Sequence, residues 1–126
     1  MDTKHILVID DDTDIREVTR VSLEALGGWV VHTAGSGREG LTKAAATRVD
    51  AILLDVMMPE MDGPTTFQLL QADPALRQIP VILLTAKVQA SDRRHFSELG
   101  VQGVIAKPFD PLTLANHMAE TLGWCH

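Results

Sequence analysis

Cysteine is almost missing from this chain of 126 residues: Cys125 is the only one, one residue from the end. A single thiol can build neither a disulfide framework nor a four-thiolate zinc site, and such usage fits a reducing compartment. Positive charge is also scarce, with 11 Lys and Arg against 17 Asp and Glu and a net charge of −6. An acidic domain without a basic stripe repels the phosphate backbone, which argues against direct DNA or RNA binding. The pair Arg93-Arg94 is too short to reverse that and reads as a solvated helix face. Long apolar runs are lacking, so no segment reads as a membrane span. The start, Met1-Asp2-Thr3-Lys4-His5, lacks the basic-then-apolar layout of a signal peptide. A cytoplasmic, membrane-free chain is expected. Phosphate P-loops, dinucleotide fingerprints and paired-cysteine metal sites are absent as well. The histidines (His5, His32, His95, His117 and His126) show no ligand spacing, and structural or surface roles are the default.

What is present suffices for one domain over residues 1–126, with no linker, repeat or following output domain visible. A hydrophobic fraction of 45% supplies a core without help from disulfides or a structural metal. Ile6-Leu7-Val8-Ile9 is a continuous apolar run, as expected of a strand covered on both faces. Trp29 to Thr33, Ala51 to Leu54, Val81 to Leu84 and Gly103 to Ala106 are further strand candidates. Between them the spacing turns helical. The first helix is expected from about Asp14 to Leu26, with Ile15, Val18, Ser22 and Leu26 on one stripe, Thr13 or Asp14 as cap and Gly27-Gly28 at its end. The second runs from about Gly37 to Thr47 behind Ser36, and the third from Pro64 to Ala72. The fourth covers Ser91 to Leu99. The last opens at Asp110-Pro111, with Asp as cap and Pro at the first helical position, and runs to Leu122. Strands alternating with helices predict an α/β fold: a single doubly wound, five-stranded parallel sheet with helices on both faces.

In such folds chemistry sits beyond the carboxyl ends of the strands. Those ends are polar here. Asp10-Asp11-Asp12 follow the first strand, Asp55 the third, Thr85 the fourth and Lys107 the fifth. Taken singly, each of these has a plain structural explanation, and for Asp12 and Asp14 solvated capping is preferred. Their joint placement is what points to a site. Clustered carboxylates repel one another unless a cation joins them, and hard Mg²⁺ suits a small oxygen cluster that also gains phosphate oxygens. Lys107 and Thr85 could hold further phosphoryl oxygens while a carboxylate attacks, giving an aspartyl phosphate.

At these residues the chain resembles the receiver domain of bacterial response regulators, close to the chemotaxis-regulator type. The segments that carry the likeness are Ile6 to Asp12, Leu54 to Gly63, Val81 to Ala86 and Lys107-Pro108-Phe109. The resemblance implies a flavodoxin-like sheet of strand order 2-1-3-4-5. It implies Asp55 as phosphoacceptor, with Thr85, the Ala86 N–H and Lys107 on the phosphoryl oxygens. It implies Mg²⁺ held by Asp11, Asp55 and the Met57 backbone carbonyl, with Asp10 acting mainly through metal-bound water. The spacing to Asp55 favours Asp10 and Asp11 over Asp12 for the pocket. The Lys107–Pro108 bond is often cis in relatives. The donor would be a sensor histidine kinase or phosphotransfer protein, and the chain would catalyse its own modification without being a turnover enzyme. A target protein would bind the face made by Lys87 to Leu99, Val104 and Leu112 to Glu120. Whether the phosphorylated form dimerises is left open.

Two positions depart from the family pattern. Val104 stands where relatives usually carry Tyr or Phe, so the aromatic part of the switch is in doubt, and ring-free signalling or weak output are both open. Met57 is apolar where some relatives have a polar residue that helps position water. Two other functions compete. A haloacid-dehalogenase-type phosphatase would use Asp10 and Asp12, although Asp14 stands where its motif needs Thr. A phosphorylation-independent interaction domain would be expected to have lost Asp55, Lys107 or the acidic pair, and none is lost.

Overall fold

The computed structural model describes residues 3–86 and 89–124. Five strands and five helices alternate along them: β1 His5–Ile9, α1 Thr13–Gly27, β2 Val30–Ala34, α2 Gly37–Ala46, β3 Ala51–Asp55, α3 Gly63–Ala72, β4 Val81–Thr85, α4 Ala90–Leu99, β5 Gly103–Ala106 and α5 Leu114–Leu122. All neighbouring strands pair in parallel, in the order β2-β1-β3-β4-β5. The expected doubly wound sheet and its order are therefore both observed.

The continuous apolar runs exist because both faces of the sheet are covered. Leu7, Ile9, Ile52, Leu54 and Leu83 point to one side and pack with Ala44, Phe67, Leu70 and Phe96 from α2, α3 and α4. Ile6, Val8, Leu53, Ile82 and Leu84 point to the other and pack with Leu23, Leu114, Ala115 and Met118 from α1 and α5. Strand side chains alternate in direction, so a strand with no polar residue must be buried twice. Chain order reverses between β1 and β3, which opens a crevice above their carboxyl ends.

Three local expectations need correction. The buried stripe of α1 is Thr19, Ser22 and Leu23, whereas Val18 and Leu26 are 46% and 49% exposed. Ser22 is buried as expected, its Oγ donating to the Pro111 carbonyl, whereas hydropathy overlooks Thr19, whose hydroxyl is satisfied on the Ile15 carbonyl. The N-cap of α1 is Asp12 rather than Thr13 or Asp14, in line with the capping role preferred for Asp12; its carboxylate accepts from the N–H groups of Asp14 and Ile15 at 2.9 and 3.2 Å. Finally, α5 does not open at Asp110-Pro111. Asp110 instead folds a tight turn, accepting the Leu112 N–H on its carboxylate at 2.9 Å and the Thr113 and Leu114 N–H groups on its carbonyl at 3.1 Å each. The helix then starts at Leu114.

Smaller shifts follow from pairing. Trp29 lies just outside β2 and packs edge-on against Trp124, with ring centroids 5.4 Å apart. His5 and His32, which by default have structural or surface roles, stack across β1 and β2 with Nδ1 and Nε2 3.1 Å apart. That contact follows from the parallel register, which no sequence spacing displays.

Candidate functional site

Four of the five strand ends deliver a polar group to the crevice. Asp10 directly follows β1, Asp55 and Thr85 are the last residues of β3 and β4, and Lys107 directly follows β5. Asp10 and Thr85 are fully buried and Asp55 is 3% exposed, while Asp11 is exposed at the rim. Carboxylate oxygens of Asp10, Asp11 and Asp55 all lie within 4.8 Å of one another. The Lys107 ammonium reaches into this cluster, 3.0 Å from Asp55 Oδ1 and 3.2 Å from Asp10 Oδ2.

The backbone around these groups is tightly tied. Asp10 Oδ1 accepts the Asp12 N–H at 2.9 Å, which turns the chain out of β1. The Asp10 N–H itself still bonds to the Ala34 carbonyl at 3.1 Å. The Lys107 N–H donates to the Thr85 carbonyl at 2.9 Å and joins the ends of β4 and β5. The Lys107–Pro108 peptide is cis, as the family likeness implied. Asp12 faces away from this chemistry, its carboxylate spent on the α1 cap. That removes the partner which a phosphatase of the dehalogenase type would need beside Asp10.

Electrostatics mark Asp55. Burial pushes its carboxyl up to about 6 in the metal-free protein; the Lys107 hydrogen bond opposes this, and the charges of Asp10 and Asp11 add to it. Burial alone would lower the Lys107 ammonium, but its hydrogen bond to Asp55 and the charges of Asp10 and Asp55 outweigh that and raise it above its ordinary value. Lys107 therefore stays charged while three carboxylates share one cation. Asp10 Oδ2 is fully buried without a hydrogen-bond partner, and the cation near it is the Lys107 ammonium at 3.2 Å. A buried carboxylate oxygen left in that state calls for another positive partner. Hard oxygen donors, excess negative charge and an unmet buried oxygen fit a divalent cation such as Mg²⁺.

Other expected site residues are placed as follows. Met57 lies on the loop leaving Asp55 and is 61% exposed, and Ala86 is exposed just beyond Thr85. Val104 is half-buried and packs with the cluster that holds Phe96 and Leu99. The target-binding face proposed from the sequence includes Lys87 and Val88, which lie outside the described residues. One residue of the site was missed. Arg16, on the first turn of α1, donates from Nη1 to the Asp10 carbonyl at 2.8 Å. Six positions of separation across a loop and a helix start give no sequence signal for that contact.

A five-stranded parallel α/β domain with a carboxylate cluster, a lysine and a buried threonine at its strand ends defines a phosphoacceptor-type signalling module. The family comparison agrees: residues 6–119 match the response regulator receiver domain. The chain belongs to the response regulator receiver family of two-component systems. It is 37% identical over 118 residues to the probable transcriptional regulator ycf27 of Cyanidium caldarium, covering 94% of this chain and 46% of the relative. To the DNA-binding dual master transcriptional regulator RpaA of Synechocystis it is 38% identical, covering 83% and 43%. The chain thus spans about half the length of the curated relatives it matches. Among solved structures, Vibrio cholerae chemotaxis protein CheY4 superposes with a TM-score of 0.88 at 30% identity, covering 95% of this chain and 99% of that one.

Proposed function

We propose that this receiver takes up a phosphoryl group on Asp55 from a histidine kinase or phosphotransfer protein in the cytoplasm, and that it catalyses the transfer itself. The observation that carries this reading is the placement of Asp55: a buried acid at the end of a central strand, ion-paired to Lys107 within a cluster of three carboxylates. One Asp55 oxygen attacks phosphorus, the bond from phosphorus to the donor's imidazole nitrogen breaks, and that nitrogen takes up a proton. An acyl phosphate results. Lys107 neutralises a phosphoryl oxygen, and Thr85 and the Ala86 N–H hold others. Asp11, Asp55 and the Met57 carbonyl would hold Mg²⁺, with Asp10 beside them; bound there, the ion supplies charge stabilisation to the transferring group. Incubation with a small phosphodonor and Mg²⁺ should add one phosphoryl group to the intact mass of the wild type and none to Asp55→Asn. Equal uptake by both would overturn the reading.

The donor has a docking surface beside the crevice. A largely apolar cavity of about 410 Å³ is lined by Ile15, Val18, Ala86, Pro108 and Phe109, with Asp14 and Lys107 among its lining residues. A donor seated there would exclude water from the attack path.

Met57 should govern how long the acyl phosphate lasts. Its exposed thioether offers attacking water no hydrogen bond, whereas an amide would. Met57→Asn is expected to raise the autodephosphorylation rate in Mg²⁺ by about tenfold, below the roughly 10²–10⁴-fold of a proton-transferring group because an amide only orients the water. An unchanged rate, followed by loss of the phosphorylated mass, would assign Met57 a backbone role alone.

A further inference from the structure

We propose that Arg16 is a positioning residue for the acidic cluster: by holding the peptide that joins Asp10 to Asp11, it sets the affinity with which those carboxylates take a divalent cation. This rests on the reading of Asp10, Asp11 and Asp55 as a cation site. The carbonyl that accepts from Arg16 Nη1 at 2.8 Å is that of Asp10, and it belongs to the Asp10–Asp11 peptide. Its orientation therefore fixes where the Asp11 backbone begins. The N-terminal side of the same residue is fixed by the bond from the Asp10 N–H to the Ala34 carbonyl. Arg16 completes the clamp.

The guanidinium is itself held in place. It lies over Gly35, where a Cβ would come within 3.1 Å of Nη1 and 3.6 Å of the guanidinium carbon. Gly35 donates its N–H to Glu39 Oε1 at 2.7 Å, and the Arg16 charge helps keep the Glu39 carboxyl below its ordinary range, after that backbone bond and the Lys43 contacts. Gly35 shows no left-handed backbone angle, so its lack of a side chain matters for space alone. A planar, delocalised fork suits this sandwiched position better than an ammonium does.

The sign of the effect separates positioning from charge. A cation near a cation site repels Mg²⁺, so if Arg16 acted only through its charge, removing it would tighten Mg²⁺ binding. If it acts by holding the Asp10–Asp11 peptide, removal weakens binding. Calorimetric titration of Mg²⁺ into the intact chain tests this. Arg16→Met should weaken affinity about tenfold, the usual cost of losing a group that orients metal ligands. Arg16→Lys, which can still donate to the carbonyl, should recover part of it. Gly35→Ala, made without touching Arg16, should also weaken Mg²⁺ binding, and should add little in the Arg16→Met background because both changes break one clamp. Unchanged or tighter binding by Arg16→Met overturns the proposal, as does a Gly35→Ala effect that persists in full without Arg16. Failure of the wild type to bind Mg²⁺, with Asp11→Asn no different, would instead overturn the cation-site reading beneath it.

Discussion

The Asp55→Asn variant should melt higher than the wild type in metal-free buffer at neutral pH, although it removes the group that the site is built around. Burial and the neighbouring acids lift the Asp55 carboxyl from 3.8 to about 6 in the folded chain. Between those values the native state binds more protons than the unfolded state, so stability falls as pH rises. The contribution of this group is complete below about pH 4 and is lost as pH climbs through 6. At neutral pH the folded protein holds a carboxylate that it would rather protonate. A shift of about two pH units corresponds to at most about 3 kcal/mol, and part of this survives because Asn loses some of the Lys107 attraction. The expected gain is a rise in Tm of about 5 °C at pH 7.5, shrinking towards pH 4. Saturating Mg²⁺ should raise the wild-type Tm more than that of the variant, since a ligand stabilises the state it binds. An Asn variant that melts at or below the wild type in a chelator would show that Lys107 already compensates the buried charge in full.

This tension between stability and function explains which parts of the molecule were legible beforehand. The parallel sheet was readable because burial on both faces leaves no polar residue in Ile6 to Ile9, Ala51 to Leu54 or Val81 to Leu84. The site was readable because Asp10, Asp55, Thr85 and Lys107 each break such a run at its carboxyl end, against the trend of their neighbours. A polar residue that behaves as core was not readable where no stripe flagged it: Thr19 hides its hydroxyl on the Ile15 carbonyl, so α1 buries a position that hydropathy assigns to solvent. Contacts set by register or loop geometry were equally invisible: the His5–His32 stack needs the offset between β1 and β2, and Arg16 needs the turn made by Asp12. Val104 is one of the two positions, with Met57, where residue type and family habit part. Its half-buried side chain packs against the same core cluster that holds Phe96.

Gly63→Ala should cost more than any other single methyl added to this chain near the site, and should take phosphoryl uptake with it. Gly63 opens α3 and is buried against the end of β3. A Cβ there would lie 2.5 Å from the Asp55 carbonyl oxygen, 2.9 Å from Val56 Cα and 3.1 Å from the Asp55 carbonyl carbon. All three are backbone atoms, so no rotamer change relieves the contact. The Gly63 N–H also donates to the Val56 carbonyl at 2.9 Å, and this bond holds α3 against the residue that follows Asp55. To admit the methyl, either α3 must back away and break that bond or Asp55 must move from Lys107. Overpacking of this kind costs about 3 kcal/mol, a fall in Tm of about 10 °C for a chain of this size. Gly40→Ala supplies the contrast. Its new methyl would meet Ile9 Cδ1 and, at 2.8 Å, Cγ1, which are side-chain rather than backbone atoms, so the Ile9 side chain and not the Asp55 backbone has to give. A smaller loss of stability with normal phosphoryl uptake is expected there. If Gly63→Ala melts like Gly40→Ala and is phosphorylated at the wild-type rate, the close approach of α3 to Asp55 is not what fixes the phosphoacceptor's position.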